Sequence, residues 1–376
     1  PYRRQRQMCI RDSYEIDPSF GTKEDLKELV QKAHDRGMKV VMDAVFNHTG
    51  KEFFAFKDIL EKGEKSKYLD WYYIDELPLK GEWGEIPNFL CFGYYGGMPK
   101  LNLKNPEVAN YITDVACYWI RECDIDGWRL DVGDEISHFF WKNFRKAVKA
   151  VKKDMLIIGE IWHYAGDFLE GDEWDTVMNY PFYLNLIDLL ADEKITVSQF
   201  VQNLGYLKGR LHKNCYPLMW NLIDSHDTAR FLHLCNDNKK KQHLAAAFQL
   251  LLPGMPMIYY GDEYAMPGAN DPDCRRGMYW DEEYQDKEMY EWYKRLIQVR
   301  KSHACIVEGE LAGSVTEDEE GTIVLIRKNG EETIAMIFNC SSSAKKFNEY
   351  TQKYNLLTEN TFDGNVEGFD AAVIVL

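Results

Sequence analysis

Three kinds of signal are missing from this 376-residue sequence: a hydrophobic run of about 18 residues, a CxxC pair and a glycine-rich phosphate-binding motif. Without the first, no transmembrane helix is predicted. Without the second, zinc or dithiol redox chemistry is disfavoured. The lack of GxGxxG and of a P-loop disfavours nucleotide binding. The nine cysteines, an odd number, fit reduced thiols in a cytoplasmic protein better than a disulfide framework.

Positive charge is also scarce. The 45 lysines and arginines are outnumbered by 61 aspartates and glutamates, which leaves a net charge of −16. This balance disfavours nucleic acid and anionic membranes as partners. Aromatic residues, in contrast, are plentiful at 14% of the chain. Most are expected in the core, and the alternative is stacking against flat ligands such as sugar rings.

Residues 1–13 differ in character from the rest of the chain. PYRRQRQMCIRDS contains four arginines and no apolar periodicity, and well-formed motif sequence starts directly at residue 14. A basic tail for nucleic acid is one interpretation, although four arginines beside a net charge of −16 make a weak binding surface. RQMCIRDS resembles translated sequencing-adapter sequence. We therefore expect this segment to be non-native.

From residue 14 to residue 304, apolar strand-like runs alternate with amphipathic helical stretches, which predicts a parallel sheet. Polar clusters follow the runs at DAVFNH, RLDVGDE, GEIW, LIDSHD and YYGDE. An open sheet would separate several of these clusters, whereas a (β/α)8 TIM barrel gathers all strand ends at one face. We therefore predict an α/β chain with a TIM barrel. Six strands can be counted, so the first two strands are expected to be missing.

Two other regions complete the predicted organisation. Residues 49–104 are too long for a plain βα loop, so we expect an inserted subdomain after the third barrel strand. Its WYYIDE and GYYGGMPKLN segments would either face substrate or fill the insertion's own core. Residues 305–376 contain short β runs around an Asn329-Gly330 hairpin signal, which predicts a C-terminal antiparallel β domain.

Three carboxylates lie at predicted strand ends: Asp131 in GWRLDV, Glu160 in IIGEIW and Asp227 in LIDSHD. Cleavage of a glycosidic bond needs an acid for the leaving oxygen and a second carboxylate, about 5–5.5 Å away in retaining enzymes. Arg129 points to the same side of its strand as Asp131, and it is expected to keep Asp131 ionised as a nucleophile. Glu160 follows an apolar strand, which favours a protonated general acid.

Together these motifs resemble the α-amylase family, glycoside hydrolase family thirteen. The signature regions of that family occur here in order as DAVFNH, GWRLDVGDE, GEIW and IDSHD. MPKLN at residues 98–102 is similar to the fifth region of the neopullulanase, maltogenic amylase and cyclomaltodextrinase subfamily, and NDPDCRRGMYW resembles the same subfamily. The resemblance covers roughly residues 14–302.

This resemblance implies double-displacement hydrolysis of α-1,4-glucosidic bonds, with α-1,6 bonds as an extension, in cyclodextrins, maltooligosaccharides or pullulan. Asp131 matches the nucleophile, Glu160 the acid/base, and Asp227 the carboxylate that binds the distorted sugar. The motifs also carry over residues that contact or support substrate: Arg129, His48, His226, Asp43, Asn47, Glu135, Trp162, Asp271 and Arg275.

Several of these supporting residues have a specific implied role. His48 and His226 match residues that bind sugar hydroxyls as neutral imidazoles. Asp43 matches an aspartate that usually supports the catalytic residues. Glu135 and Trp162 are expected on the leaving-group side. Asp271 and Arg275 are expected to hold the non-reducing end, and a surface ion pair is the alternative.

No cofactor is predicted. Asn47 matches a position that ligates calcium in many α-amylases, but the metal site of the subfamily tends to involve the first βα loop, which is absent here. The sequence also departs from the subfamily at Gly133-Asp134, where Ala-Asn is common. The N-terminal β domain of the subfamily is also expected to be missing from this sequence.

Two alternatives stay open. An α-1,6-glucosidase or sucrose-type relative is expected to carry a QPDLN-like segment in place of MPKLN. A catalytically incompetent amylase-like scaffold typically lacks the three carboxylates, which are all present here. A catalytically incompetent fragment is the other form of this alternative, because an open barrel would expose strand edges and core surface even with all three carboxylates in place. The expected partners are α-glucan oligosaccharides, in a cytoplasmic protein, and the resemblance is compatible with a homodimer of the full-length protein.

Overall fold

The computed structural model describes residues 14–81 and 85–376. The segment 1–13, expected to be non-native, lies outside the described residues. The described chain forms two compact units. One contains the described residues up to 161 together with 165–177, and the other contains 162–164 together with 178–376.

A four-stranded parallel sheet organises the first unit. Its strands are hydrogen-bonded in chain order: β1 (Val41–Ala44), β2 (Gly127–Leu130), β3 (Leu156–Gly159) and β4 (Thr176–Val177). The register places Asp43 on β1 opposite Arg129 on β2, and Arg129 opposite Ile158 on β3. All four residues of β2 are buried, as is typical of a parallel strand covered on both faces.

The first unit also contains four α-helices: α1 (Lys23–His34), α2 (Phe54–Lys62), α3 (Pro106–Cys123) and α4 (His138–Val151). Thr22 and Asp25 form the capping box that starts α1. The Asn105 side chain caps α3 ahead of Pro106. The apolar stripe predicted for α3 is confirmed, since its buried residues include Val108, Ile112, Val115, Trp119 and Ile120.

Residues 49–104 form a region with its own aromatic packing. The Phe56 ring lies 5.0 Å from the Tyr72 ring and 5.2 Å from the Phe89 ring, centroid to centroid. Trp71 is buried as well, whereas Tyr94 is 94% exposed. WYYIDE therefore contributes two aromatic side chains to the core of the insertion, and Tyr94 of GYYGGMPKLN faces solvent.

The second unit begins with a short parallel strand pair, β5 (Trp220–Asn221) and β6 (Met255–Pro256), with Met178 bridged to Trp220. Six helices accompany it: α5 (Tyr180–Leu190), α6 (Val197–Arg210), α7 (Phe231–Leu234), α8 (Lys239–Leu251), α9 (Lys287–Ser302) and α10 (Cys305–Glu308). The six parallel strands expected from the sequence are thus all present among the described residues.

The C-terminal part of the second unit is an antiparallel sheet, as predicted. Its order is β12-β11-β14-β9-β8-β7, and a separate pair joins β10 and β13. The strands are β7 (Glu310–Glu317), β8 (Thr322–Asn329), β9 (Glu332–Asn339), β10 (Lys345–Lys346), β11 (Tyr354–Asn355), β12 (Asn360–Thr361), β13 (Asn365–Val366) and β14 (Asp370–Val375).

The hairpin between β8 and β9 is confirmed, but its turn is shifted by one residue. Asn329 pairs with Glu332, so the two loop residues are Gly330 and Glu331. Gly330 alone of these has a positive φ, of 61°, which suits the first position of a type II′ turn. Asn329 is the last residue of the strand, because its backbone continues the ladder.

The two faces of this sheet bury different clusters. Ile323 and Leu325 on β8 join the main core of the second unit, in which the Phe248 ring of α8 stacks on the Phe338 ring at 4.3 Å. Val324, between them, joins a smaller cluster on the other face. No helix in residues 14–81 and 85–376 is long and apolar enough to cross a membrane.

Candidate active site

Arg129 lies between three carboxylates in the first unit. Its Nη1 donates to Asp43 Oδ1 and to Asp131 Oδ1, both at 2.8 Å, and its Nη2 lies 3.0 Å from Glu160 Oε2. The sheet explains this arrangement, because Asp43 is paired opposite Arg129, while Asp131 and Glu160 directly follow β2 and β3. Burial opposes the charge of Arg129, but the three carboxylates outweigh it and raise its pKa.

Glu160 is tied to the loop that follows Asp131. Its Oε2 accepts a hydrogen bond from Val132 N at 3.0 Å, and its own N–H donates to Leu130 O at 3.0 Å. Val132 has a φ of 47°, an unusual conformation for a β-branched residue, which costs conformational energy. The predicted acid/base, Glu160, and the predicted nucleophile, Asp131, thus both contact the Arg129 guanidinium.

The pKa of Asp131 depends on more than its contact with Arg129. Burial raises the pKa of Asp131, Arg129 lowers it, and the negative charges of Glu160 and Asp43 raise it further. The net direction is upward, so Arg129 offsets the effects of burial and of the neighbouring carboxylates only in part.

A lysine links three further segments of the first unit. Lys100 Nζ donates to Asn47 Oδ1 at 2.5 Å, to Glu135 Oε2 at 2.7 Å and to Glu135 O at 3.1 Å. Asn47 Nδ2 also donates to Glu135 Oε2 at 3.2 Å. The ammonium group therefore joins the end of β1, the MPKLN segment and the loop after the nucleophile. Lys100 is not among the site residues predicted from the sequence, although it lies in the MPKLN motif.

These contacts also test the calcium position. The Oδ1 of Asn47 that would face a cation accepts a hydrogen bond from the Lys100 ammonium, and the nearest carboxylate, Glu135, is held by the same group. A positively charged nitrogen competes directly with a metal ion for such oxygens. Within the described ranges no cluster of three or more His, Cys, Asp or Glu side chains could hold a metal. The residues present do not fit calcium at Asn47.

His48 is buried and neutral. Burial lowers its pKa to about 4, with Glu135 raising it and Lys100 lowering it further. The ring stacks parallel to Phe92 at 5.2 Å. Its Nδ1 is buried and lacks a hydrogen-bond partner among the described residues. A neutral imidazole has one donor and one acceptor nitrogen, as the predicted contact with a sugar hydroxyl requires.

A cavity of about 300 Å³ adjoins Glu135 in the first unit. Its wall includes Asn47 and Lys100 on one side, and Tyr73, Ser137 and His138 elsewhere. Glu135 thus borders an open volume, as its predicted position on the leaving-group side requires. Its role in binding stays a prediction.

Asp227, His226, Arg275 and Asp271 come together in the second unit. Arg275 Nη2 donates to Asp227 Oδ1 at 3.1 Å, and Arg275 Nε donates to His226 O at 2.8 Å and lies 3.1 Å from Asp271 Oδ1. His226 Nε2 lies 3.1 Å from Asp227 Oδ2. The ion pair considered for Asp271 and Arg275 is present, but Arg275 also orients Asp227.

Trp162 stacks on Tyr180 in the second unit. The ring centroids are 3.9 Å apart and the planes differ by 13°. Tyr180 OH lies 3.1 Å from Ser225 Oγ, so the tyrosine is itself anchored to the loop of Asp227. Trp162 is 40% exposed, which leaves indole surface for a ligand. Tyr180 is not among the site residues predicted from the sequence, because nothing local to residue 180 indicates the stack.

Comparison with known proteins gives a consistent result. The sequence matches the description "Alpha amylase, catalytic domain" over residues 3–285. It is 47% identical over 333 residues to a cyclomaltodextrinase of Geobacillus thermopakistaniensis, covering 89% of this chain and 56% of that protein. It is 44% identical over 340 residues to a maltogenic alpha-amylase of Bacillus acidopullulyticus, covering 89% and 57%.

A solved cyclomaltodextrinase structure aligns with a TM-score of 0.92 at 38% identity, over 97% of this chain and 65% of that one. The chain thus spans a little over half the length of the two curated relatives. The fold is accordingly of the TIM-barrel type with a C-terminal antiparallel sheet. The extent of the family match and the identity to these relatives show that the chain belongs to the α-amylase family of glycoside hydrolases.

Proposed function

We propose that this chain carries the catalytic residues of a retaining α-glucan hydrolase. The observation that carries the proposal is the Arg129 guanidinium, bonded at 2.8 Å to Asp131 and lying 3.0 Å from Glu160. The two carboxylates that double displacement requires, one as anion and one as acid, thus lie against the same positive charge.

In the first step, Asp131 Oδ attacks the anomeric carbon while Glu160 transfers its proton to the leaving glycosidic oxygen. The bond from carbon to that oxygen breaks, and an ester to Asp131 forms. Transfer of the proton leaves Glu160 ionised. Arg129 compensates the charge that moves from Asp131 to Glu160, because it contacts both carboxylates.

In the second step, Glu160 takes a proton from water as the water oxygen attacks the anomeric carbon. The ester bond breaks, Asp131 regains its carboxylate, and the sugar leaves with its original anomeric configuration. The contact of Glu160 with Val132 N supports this second role, because the N–H stabilises the ionised carboxylate between the two steps.

Asp227 is proposed as the third carboxylate, which binds the distorted sugar in the oxocarbenium-like transition state. Its contacts with Arg275 and His226 support a fixed orientation of its oxygens. His48 is proposed to bind a sugar hydroxyl through its neutral ring. Trp162 is proposed to stack on sugar through the indole surface that Tyr180 leaves uncovered.

The proposed substrates are cyclodextrins, maltooligosaccharides and pullulan, cleaved at α-1,4 bonds and, as an extension, at α-1,6 bonds. The names of the relatives, cyclomaltodextrinase and maltogenic alpha-amylase, support this class. The presence of Asp131, Glu160 and Asp227, with the first two in contact with Arg129, argues against a catalytically incompetent scaffold. Cytoplasmic location and a homodimer stay predictions.

We also propose that β1 is the third strand of an eight-stranded barrel. In the described part of the chain, β1 is hydrogen-bonded to β2 on one side and is an edge strand of its sheet. Asp43 on that strand is 47% exposed at its side chain. An exposed edge of this kind could be covered by a further parallel strand.

The proposal is tested with the full-length gene, assayed on β-cyclodextrin, pullulan and starch side by side. We expect β-cyclodextrin to be preferred over starch. Asp131→Asn should lower kcat/KM by orders of magnitude, because the amide is a poor nucleophile for the ester-forming step. Equal activity of the wild type and this variant would overturn the mechanism. Preference for starch would overturn the subfamily assignment while leaving the mechanism intact.

A further inference from the structure

A second group of charged residues lies buried in the second unit, apart from the residues assigned above. Asp224, Arg230 and Asp262 have exposed fractions of 1%, 0% and 1%. Asp224 and Arg230 both belong to the loop that carries His226 and Asp227. Isolated charges are costly at such depth, so this group needs internal compensation.

Each of the two carboxyl groups has one satisfied oxygen. Asp224 Oδ2 accepts a hydrogen bond from Phe231 N at 2.7 Å, and Asp262 Oδ1 accepts one from Arg230 Nη1 at 3.2 Å. The remaining oxygens, Asp224 Oδ1 and Asp262 Oδ2, have no donor among the described residues. The two carboxyl groups are nevertheless within hydrogen-bonding reach of each other.

Two ionised carboxylates cannot form that contact, because both offer only acceptors. A single proton between them converts one oxygen into a donor and satisfies both. The charge count agrees with this, since two ionised carboxylates and one arginine leave a buried net charge of −1, whereas one added proton makes the group neutral. Two independent requirements therefore point to the same proton.

We propose that Asp224 and Asp262 share one proton, and that this acid pair, with Arg230, fixes the loop that presents Asp227. The positioning part of the proposal rests on the proposed function. The loop is closed by the Asp224 contact to Phe231 N, and Arg230 N donates to Gly268 O at 3.0 Å. Between these anchors, Asp227 N donates to Ser225 Oγ at 3.2 Å. Loss of the proton would force the two carboxylates apart and loosen the first anchor.

Burial raises the pKa of Asp224, and the Phe231 N–H, Asp262 and Arg230 lower it. Burial and the Asp224 charge raise the pKa of Asp262, against the effect of Arg230. The net direction is upward for both. The other titratable groups that face the pair are Glu263, Tyr183 and Tyr293. None of these supplies a hydrogen bond to the two remaining oxygens.

The sign of the pH dependence follows from linkage. The folded chain keeps a proton that the unfolded chain loses near pH 4, where an ordinary aspartate titrates, so stability falls as the pH rises above about 4. The unfolding equilibrium constant should increase by up to about tenfold per pH unit for this one proton. The increase ends at the folded-state pKa of the pair.

Asparagine replaces the shared proton at either position, because its amide N–H₂ donates to the partner oxygen at every pH. We therefore expect Asp224→Asn and Asp262→Asn each to fold. In each variant, the slope of the urea-unfolding free energy against pH between pH 4 and pH 7 should correspond to about one proton fewer released on unfolding than in the wild type. The matched control is Asp281→Asn, at an exposed aspartate, which should keep the wild-type slope. Wild-type slopes in both pair variants would overturn the shared proton.

The double variant sharpens the test. With asparagine at both positions, the oxygens stay on Phe231 N and Arg230, so two N–H₂ groups face each other without an acceptor. We expect the double variant to be less stable than the two single variants predict additively. Infrared spectra give an independent readout: at pH 7 the carboxylic acid band of the wild type should weaken in either single variant. An additive double variant with an unchanged band would contradict the proposal.

Positioning of Asp227 is tested by rescue. In the active full-length protein, Asp224→Asn should retain cyclodextrin hydrolysis within a few-fold, whereas Asp224→Ala, which loses the anchor to Phe231 N and the contact with Asp262, should lose at least tenfold in kcat. Equal losses in the two variants would overturn the positioning role. A wild type without activity would refute the proposed function instead, and the unfolding and infrared results would still decide on the proton.

Discussion

The two groups of candidate site residues differ in how their arginines are surrounded. Arg129 in the first unit has a side chain that is 10% exposed, with partners Asp131 and Glu160 at 20% and 7%. In the second unit, Arg275, Asp227 and His226 are 22%, 30% and 38% exposed. The residues of the first group lie on a buried strand or directly after one, and those of the second group lie in loops outside the strands and α-helices.

This difference separates two tasks. Charges that are shielded from water act strongly on one another, so the Arg129 group is suited to setting protonation and moving charge between carboxylates. Charges in contact with water act more weakly but are accessible, so the Arg275 group is suited to orienting a sugar. Four predictions test that division, in order of expected effect.

The largest effect is expected at Arg129. Arg129→Ala leaves the buried carboxylates of Asp131 and Glu160 without their shared cation, which should cost about 3–5 kcal/mol of unfolding free energy and nearly all activity. Arg275→Ala, the matched variant in the second group, should cost about 0–1 kcal/mol. Urea unfolding of both variants measures the difference. Equal destabilisation would remove the distinction between the two groups.

The next effect concerns His48. Its pKa in the folded protein, about 4, lies below the ordinary value of 6.5, so its contribution to stability is present above pH 6.5 and is lost as the pH falls toward 4. Between pH 6.5 and pH 4, the wild type should lose on the order of 3 kcal/mol of unfolding free energy through His48. His48→Asn should not show this loss. Thermal unfolding as a function of pH measures it. A variant with the wild-type acid sensitivity would show that His48 is not buried as described.

A smaller shift is expected at Asp43. Its negative charge raises the pKa of Asp131, so Asp43→Asn should lower that pKa while the amide oxygen keeps the Arg129 contact. The acid limb of kcat/KM should move to lower pH by about half a unit to one unit. A shift toward higher pH would contradict the assignment of that limb to Asp131.

The smallest effect is expected at Arg275. Arg275→Lys keeps the charge but cannot span Asp227, Asp271 and the His226 carbonyl at once. We expect KM to rise about two- to fivefold with kcat nearly unchanged. Steady-state kinetics on maltooligosaccharides measures both constants. A fall in kcat without a change in KM would instead place Arg275 among the groups that act on the transition state.

Much of the fold could be predicted from the sequence, and so could the meeting of several candidate site residues, because both follow from local patterns. The period of apolar residues on α3 and the strand-end motifs predicted the six parallel strands and the grouping of Asp131 with Glu160. The hairpin of the C-terminal sheet was also predicted, and only the turn residue was displaced, since strand register depends on the partner strand.

What the sequence did not provide were contacts between distant segments. Lys100 meets Asn47 across 53 residues, and no local pattern encodes that meeting. The pKa of Asp131 depends on burial as well as on Arg129, and burial arises only when the neighbouring strands assemble. The same holds for Asp224 and Asp262, which stand 38 positions apart in the sequence.

The central claim, that Asp131 forms the covalent intermediate, is tested most directly by trapping it. Full-length protein with Glu160→Gln is incubated with α-maltosyl fluoride, whose leaving group needs no acid, and is then digested for mass spectrometry. Because the variant lacks the base for the second step, we predict that a maltosyl group accumulates on the peptide containing Asp131. A label on a different residue, or turnover without any labelled protein, would contradict the account.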